Sequence, residues 1–524
     1  MNTRTPSAGV CRTAAIALTG LEGTIVHVEA AVSNQLPGMA IIGLPDTALA
    51  EAKQRVKLAT QHAGLSLTDR FLIVNLSPAA LPKQGSGFDL AIALSVLAAS
   101  GHLPATALAE TAHIGELSLD GGLRRPPGLL SAVLAARGLG FERVMVPASC
   151  AKEAALVPGI EVIAAESLGG AVAKYRGEGS GWWVESAADA SVQGEEPPAP
   201  VFGEPDMAEV IGQPEAVEAL VVAAAGRHHL SMIGPPGAGK TLLATRLASI
   251  LPDLGSDEAI TASSIASLGG SSLTSLVRRP PFVSPHHTAS AVSIIGGGDS
   301  SGVRPGAITR ACHGVLFLDE APEFPRTVLE AFRQPLEAGA IEIHRAKVHA
   351  TLPAKIQLVI AANPCPCGNA DSLDSAEPCR CTPGQRLRYL GRLSGPLTDR
   401  IDLRLHVRRV SSVLIDVDER PRPTSAELRE RVSRARERAA TRLRGTPWRV
   451  NADVKGDWLR APENRLPRSV TAVLDTALSR GSLTVRGYDR ALRVGWTLAD
   501  LAGKPMPERA EIRQALALRN GAGL

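Results

Sequence analysis

The sequence predicts an α/β fold class with a helical region at its C-terminal end. Three apolar runs, at residues 229–233, 314–318 and 356–362, have the length of strands, and each leads into glycines or polar residues. Continuous apolar runs of this kind are typical of parallel strands buried on both faces. Because helical patterns separate the runs and dominate beyond residue 410, we expect a parallel sheet flanked by helices.

The length and composition of the chain are those of a globular protein large enough for about three domains. The chain has 524 residues, of which 44% are hydrophobic and 21% charged, and its formal net charge is +4. These values exclude fibrous and disordered classes and give only a weak indication of a polyanionic partner. The apolar stretch after Arg12 is soon interrupted by Glu22, so we expect neither a signal peptide nor a membrane span.

Composition and pattern divide the chain into four parts. Residues 176–205 are rich in Gly, Ser, Glu and Pro, which predicts a flexible acidic linker because such a segment buries little apolar surface. We expect an α/β domain at 1–175 before it, a second α/β domain at 206–410 after it, and a helical domain at 411–524.

The first apolar run leads into GPPGAGKT, which fits the pattern G-x-x-x-x-G-K-[ST]. Glycines in this pattern let backbone N–H groups turn towards phosphates, and the helix that follows favours anions at its N-terminus. Lys240 would place a charge at the β/γ-phosphate oxygens, and Thr241 would offer a hydroxyl ligand to Mg²⁺. We therefore predict an ATP site formed by Gly234, Pro235, Pro236, Gly237, Ala238, Gly239, Lys240, Thr241 and Leu242.

The second and third runs end in further polar candidates. Asp319 and Glu320 follow the second run, where Asp319 would hold the metal and Glu320 would orient water for hydrolysis. Asn363 follows the third run, where its amide would bond a γ-phosphate or the attacking water. Arg400 and Arg486 are candidates for binding phosphate charge, since a guanidinium stays ionised, although each alone also fits a surface ion pair.

The order of these elements resembles the AAA+ ATPases of the helix-2-insert group, and within it the magnesium-chelatase-like ComM/YifB family. The stretches that carry the resemblance are PHHTAS at 285–290, GGG at 296–298, HGVLFLDE at 313–320, NPCPCG at 363–368 and DRID at 399–402. The resemblance implies an AAA+ core with a helical lid, preceded by a domain with the fold of ribosomal protein S5 and Lon protease.

The resemblance also implies roles and partners. By position, Lys240 and Thr241 would be Walker A, Asp319 and Glu320 Walker B, Asn363 sensor 1, Arg400 the finger that reaches a neighbour's ATP, and Arg486 sensor 2. It implies a ring, expected as a hexamer, and ATP-driven branch migration of DNA of the kind associated with recombination and natural transformation.

Two charged segments are candidates for contact with DNA. In residues 340–349, apolar and polar residues alternate on both sides of a short turn. This pattern predicts a hairpin with Arg345 and Lys347 near its tip. They would bind phosphates without reading sequence, and the alternative is a hairpin with solvated charges. For the arginine-rich helix after Thr424, a solvated face opposite the apolar stripe is favoured over a DNA-lining face, because glutamates are interleaved with Arg429, Arg431, Arg434, Arg436, Arg438 and Arg442.

Four of the seven cysteines lie close together as two C-x-C pairs, which are separated by about eleven residues. This count suits structural Zn²⁺ bound by Cys365, Cys367, Cys379 and Cys381, although the spacer is one residue shorter than the usual C-x-x-C. Free thiols and redox pairing are the alternatives. The pattern differs from a secreted disulfide framework and favours a reducing, cytoplasmic location.

The resemblance to Lon does not carry over its peptidase activity. Lon enzymes activate a serine with a lysine, but here Gly87 falls at the serine position and Ala132 at the lysine position. We expect no peptidase activity, with a displaced Ser86 nucleophile as the minor alternative.

Three functions remain open from the sequence. The first is a Mg²⁺-dependent ATPase ring that moves branched or single-stranded DNA, and the second is a chelatase-like remodeller of a protein client. The third is a nucleotide-gated scaffold, against which the pair Asp319 and Glu320 argues, because a binding switch needs no acid that orients water.

Overall fold

The structure is a computed structural model of the chain. It describes residues 10–43, 46–65, 67, 70–78, 87–178, 182–185, 205–299, 302–345, 348–370, 378–393, 395–410 and 421–521. Within these ranges, no helix combines the length and the apolar character needed to cross a membrane.

The first domain is built on a mixed sheet. Among the described residues the sheet has eight strands, in the order β10-β9-β8-β5-β1-β2-β4-β3. Its strands and the small β6–β7 ribbon are β1 Cys11–Thr19, β2 Glu22–Ser33, β3 Gly38–Ile42, β4 Phe71–Ser77, β5 Thr111–His113, β6 Glu116–Leu117, β7 Leu123–Arg124, β8 Arg143–Pro147, β9 Glu161–Ala165 and β10 Trp182–Glu185. The helices are α1 Asp46–His62, α2 Asp89–Ala99, α3 Leu129–Gly138, α4 Ala151–Ala154 and α5 Leu168–Arg176. Apolar α2 is almost wholly buried and forms the centre of this domain's core.

Part of the segment expected to be a flexible linker is ordered. Trp182–Glu185 forms strand β10, which pairs antiparallel with β9 at the edge of the first sheet. The expectation for 176–205 was therefore wrong at this strand, because pairing at the edge of the sheet satisfies the strand's backbone groups. Residues 179–181 and 186–204 lie outside the described residues.

The second domain has a parallel sheet with the order β12-β15-β18-β11-β19 among the described strands, as the apolar runs predicted. Its strands, with those of two separate hairpins, are β11 Leu230–Ile233, β12 Phe282–Val283, β13 Gly296–Asp299, β14 Gly302–Pro305, β15 Val315–Leu318, β16 Ala340–Arg345, β17 Val348–Pro353, β18 Gln357–Ala362 and β19 Leu403–His406. Its helices are α6 Pro214–Gly226, α7 Lys240–Ser249, α8 Ser256–Leu268, α9 Ala291–Ile295, α10 Ala307–Arg310, α11 Arg326–Ala331, α12 Arg333–Ala338, α13 Pro383–Leu390 and α14 Gly395–Thr398.

The C-terminal region is helical, as predicted. It comprises α15 Ser425–Arg442, α16 Gly456–Arg460, α17 Arg468–Ser479, α18 Val485–Ala502 and α19 Arg509–Asn520. Thr424 and Glu427 form a capping box at the start of α15, and the apolar stripe of this helix is buried. We refer to residues 421–521 as the lid.

Two arginines of α15, Arg429 and Arg436, are not part of a solvated face, whereas Arg434 is exposed. The Arg429 guanidinium donates to the Ser249 carbonyl at the end of α7, at 2.8 and 3.0 Å, and Arg436 donates to the Ala224 carbonyl in the last turn of α6, at 2.7 and 3.1 Å. These side chains bond the terminal carbonyls of neighbouring helices, where cations are favoured. The solvated-face expectation was therefore wrong for them, and the DNA-lining alternative also fails, because both guanidinium groups are used inside the fold.

Helix α8 joins the first domain to the second. Arg125 of the first domain forms an ion pair with buried Glu153 at 2.9 Å and donates to the carbonyls of Ser267 and Ser271, at 3.2 and 2.7 Å. At the other end of α8, Glu258 lies 3.3 Å from His313, which precedes β15. One helix therefore contacts both the first domain and the strand that leads to Asp319.

Candidate functional site

The loop between β11 and α7 has the form of a phosphate cradle. Gly237 and Gly239 adopt left-handed φ values of 77° and 86°, which glycine adopts without strain. A Cβ atom at Gly234 would lie 2.2 Å from the Val407 carbonyl oxygen, so this position also requires glycine. The loop therefore presents its backbone immediately before a helix N-terminus, where N–H groups are available to an anion.

Lys240 is folded into this loop. Its ammonium donates to the carbonyls of Gly234 and Pro235, at 2.7 and 3.0 Å, and to Oδ1 of Asn363 at 3.0 Å. Burial lowers the pKa of Lys240, while the nearby carboxylate of Asp319 acts in the opposite direction. The structure thus brings the predicted Walker A lysine and the predicted sensor together.

Asp319 lies at the end of β15 and faces Thr241. The Thr241 hydroxyl donates to Oδ2 of Asp319 at 2.7 Å, and the other oxygen of this carboxylate accepts from the Glu320 N–H at 2.9 Å. Glu320 is one of the few described non-glycine residues with positive φ, at 49°, a conformation that recurs at functional sites. The two predicted Mg²⁺ ligands are therefore neighbours.

Three residues near this loop were not assigned to the ATP site from the sequence. His287 lies 3.6 Å from the Glu320 carboxylate, the Gln213 amide donates to the Ala238 carbonyl at 2.9 Å, and Arg409 donates to the Pro236 carbonyl at 3.1 Å. His287 belongs to the motif PHHTAS, which was the available signal, whereas Gln213 and Arg409 are reached only through the fold. The neighbouring His286 bonds Thr288 locally, as expected for a turn.

Arg400 and Arg486 line a separate cavity of about 170 Å³ between the second domain and the lid. Arg490 and Arg493 also line it, and Glu337 forms an ion pair with Arg400. None of residues 234–241, all of which are described, contributes to its lining. The structure therefore brings the two predicted arginines together without joining them to the loop of their own chain.

The four cysteines of the C-x-C pairs form one cluster. All of their sulfur atoms lie within 4.8 Å of one another, and the Cys365 sulfur is 3.4 Å from that of Cys367 and 3.6 Å from that of Cys379. Cys381 completes the group, and the described cysteines, which include all seven, are free thiols. Cys11, Cys150 and Cys312 lie outside this cluster and are buried.

The structure describes only part of the predicted DNA-binding hairpin and of the residues compared with the Lon active site. The predicted hairpin is present as β16 and β17, but Lys347 lies outside the described residues, as does the side chain of Arg345. In the first domain, Ala132 is buried in α3, while Ser86 lies outside the described residues. The absence of peptidase activity stays a prediction.

Family models match most of the chain. The model described as magnesium chelatase, subunit ChlI, matches residues 206–414, the one described as subunit ChlI of Mg-chelatase matches 28–150, and the one for the subunit ChlI C-terminal part matches 422–519. A Lon protease of Nitrosococcus oceani is 25% identical over 152 residues, which are 28% of this chain and 19% of that protein.

Curated relatives match nearly end to end. The uncharacterized protein Rv2897c of Mycobacterium tuberculosis is 44% identical over 510 residues, 97% of this chain and 98% of the relative. The uncharacterized protein YifB of Escherichia coli and the competence protein ComM of Haemophilus influenzae are 37% and 38% identical, each over 95% of both chains. These matches agree with the parallel sheet and with the phosphate cradle between β11 and α7. The chain therefore belongs to the magnesium-chelatase-like ComM/YifB family of AAA+ proteins.

Proposed function

We propose that the protein is a ring-forming, Mg²⁺-dependent ATPase that couples ATP hydrolysis to movement along DNA or to branch migration of DNA. The observation that carries the ATPase part is the convergence of the Lys240–Asn363 and Thr241–Asp319 hydrogen bonds at one edge of the sheet. Family membership supports an ATPase, and the DNA part is supported by the name of the relative ComM.

The residues at the cradle fit ATP and Mg²⁺. The Thr241 hydroxyl and the Asp319 carboxylate, 2.7 Å apart, are the hard oxygen donors that Mg²⁺ takes from proteins. Bound Mg²⁺ would neutralise charge on the β- and γ-phosphates. Lys240 would exchange its carbonyl partners for phosphate oxygens, Asn363 would bond the γ-phosphate or water, and Glu320 would orient the attacking water.

We further propose that each site is completed by the next protomer. Arg400 and Arg486 face a cavity that the P-loop of their own chain does not line, so they would reach the triphosphate of a neighbour. A closed ring, for which six protomers are expected, gives every site both a cradle and an arginine pair.

A second feature supports a polyanionic substrate. The glycine-containing hairpin of β13 and β14 contacts the hairpin of β16 and β17, and beside it lies a cavity of about 530 Å³ lined by Arg304 and Arg310. The Arg310 side chain is exposed to solvent. These cations, with Arg345 and Lys347, would bind DNA phosphates without reading sequence.

We propose structural Zn²⁺ at Cys365, Cys367, Cys379 and Cys381. Tetrahedral Zn²⁺ with Zn–S bonds of about 2.3 Å holds its sulfur atoms about 3.8 Å apart. The sulfur–sulfur distances of 3.4, 3.5 and 3.6 Å are close to that value without being disulfide bonds. Four thiolates leave no open coordination position, so the ion would brace the segment that follows Asn363, and a reducing cytoplasm would keep the thiols available.

Turnover of ATP with and without four-way-junction DNA tests the proposal. We expect junction DNA to raise the rate, and Glu320→Gln to abolish hydrolysis while fluorescent ATP still binds. Glu323→Gln, which alters a nearby acid on the 3₁₀ turn Ala321–Glu323, is the matched control and should retain turnover. Equal rates with and without DNA would refute the DNA assignment, and stimulation by a protein client alone would favour the chelatase-like remodeller.

A further inference from the structure

Arg400 is held inside its own chain by an acid on another element. Its guanidinium forms an ion pair with the Glu337 carboxylate, and the Arg400 side chain is 7% exposed whereas that of Glu337 is 58% exposed. An arginine that binds the triphosphate of a neighbouring protomer has to release this carboxylate. The exposed acid is the partner that can move with little cost in buried surface.

The surroundings of Arg400 make this carboxylate important. Burial lowers the pKa of Arg400, Glu337 opposes that effect, and the cations Arg486 and Arg333 add to it. A guanidinium among like charges is stabilised by an anion close to it, and Glu337 supplies one here, beside Asp399 and Asp489 in the lining of the cavity. A triphosphate entering the cavity that Arg400 and Arg486 line would supply such an anion and would compete with Glu337.

Glu337 is directly connected to the β16–β17 hairpin. It lies in the last turn of α12, which ends at Ala338 and is capped by Gly339, and the hairpin begins at Ala340. The Gly339 N–H donates to the Pro335 carbonyl at 2.9 Å, and the Gly339 carbonyl accepts from the Ala354 N–H at 2.8 Å. The helix end and both sides of the hairpin base thus form one hydrogen-bonded unit, so that a shift of the hairpin moves the Glu337 backbone.

We infer that Glu337 is a positioning residue that retains Arg400 until the hairpin is engaged, and that it thereby couples DNA on the hairpin to delivery of Arg400 to the neighbouring ATP. The inference rests on the proposed function, in which the hairpin binds DNA and Arg400 acts in the adjacent site. In this inference, helix α12 transmits the binding of DNA at the hairpin to Arg400, and this explains how DNA would stimulate hydrolysis. The switch is the exchange of one anionic partner of Arg400 for another.

Glu337→Gln tests the inference in the full-length protein, with ATP turnover measured with and without four-way-junction DNA. We expect the rate without DNA to rise by about threefold or more, and the ratio of the two rates to fall towards one. Glu330→Gln is the matched control, because Glu330 lies on the adjacent helix and pairs with exposed Arg326. It should keep the wild-type rates.

Glu337→Asp, which keeps the charge, separates positioning from a general structural effect. It should keep a lower rate without DNA than Glu337→Gln and should restore part of the stimulation. A Glu337→Gln rate without DNA that is unchanged or lower, or a Glu337→Asp rate without DNA that rises as far as that of Glu337→Gln, overturns the inference. Size-exclusion chromatography and thermal melting under the same conditions check assembly and folding.

Failure of the inference differs from failure of the proposed function. If DNA does not change the turnover rate of the wild type, the DNA assignment is wrong. The turnover rate of Glu337→Gln without DNA, compared with that of the wild type, still tests whether Glu337 retains Arg400. If wild-type turnover is stimulated and Glu337→Gln is stimulated equally, only the coupling through Glu337 is wrong.

Discussion

The Lys240 ammonium donates a hydrogen bond to Oδ1 of Asn363 at 3.0 Å, although the two residues are 123 positions apart. The contact joins the loop after β11 to the end of β18, two strands that are adjacent and parallel in the sheet. Because the carboxyl ends of parallel strands share one edge, residues distant in sequence meet there.

Asn363→Ala should reduce turnover more than nucleotide binding. A hydrogen bond to a charged group contributes about 1.5–3 kcal/mol, which corresponds to a loss in kcat of about 10–100-fold. Steady-state kinetics and fluorescent-ATP titration measure the two effects. Asn464→Ala, which removes an amide that bonds the Trp458 carbonyl in the lid, is the control and should keep kcat. An unchanged kcat in Asn363→Ala would remove the sensor role.

Mixing two inactive variants should restore activity if adjacent protomers share each site. Lys240→Ala lacks a functional cradle and Arg400→Ala lacks the proposed finger, but in a mixed ring some interfaces combine an intact Lys240 with an intact Arg400. For random one-to-one mixing, about a quarter of the interfaces are intact, so we expect about that fraction of the wild-type rate. A mixture no more active than its components, although chromatography shows mixed rings, would contradict the shared site.

Purified protein should contain about one zinc ion per chain, and removing one thiol ligand should abolish retention. Cys367→Ser tests this by elemental analysis after dialysis against a weak chelator. Cys312→Ser, at a buried cysteine outside the cluster, is the control and should keep its metal. Less than a tenth of an ion per wild-type chain would exclude the site.

The ion pair of Glu258 with His313 should make stability depend on pH. Burial lowers the pKa of His313, but the neighbouring Cys312 and Glu258 outweigh burial and raise the pKa to about 9. A His pKa raised on folding stabilises the protein fully below about 6.5, its ordinary value, and this contribution is lost as the pH rises through 9.

The wild type should therefore melt at a higher temperature than Glu258→Gln at pH 6, and the difference should vanish by about pH 10. After discounting for the partly exposed Glu258 carboxylate, we expect about 1 kcal/mol at pH 6. Differential scanning calorimetry at several pH values measures the difference. A gap that stays constant between pH 6 and pH 10 would show that His313 is not the titrating partner.

Much of the candidate site could be predicted because its signals are local. The P-loop spacing, the acids after β15 and Asn363 after β18 each follow an apolar strand, and the sheet brings them together as expected. Arg429 and Arg436 of α15 were misread because a polar helix face has the same sequence pattern whether it meets water or the carbonyls of other helices. The strand Trp182–Glu185 was missed because edge pairing depends on a partner strand, β9, that composition does not reveal.

The sequence by itself determined the chemistry available to this protein: a glycine loop with lysine and threonine, two acids, an asparagine and four clustered cysteines. These are properties of short segments, whose spacing along the chain is set by covalent geometry. Only the tertiary structure decided which arginines bond other parts of the fold and which line the cavity beside the lid. It also decided that Arg400 is buried and pairs with Glu337. Those outcomes depend on burial and on charges brought together from distant segments, and no local pattern encodes them.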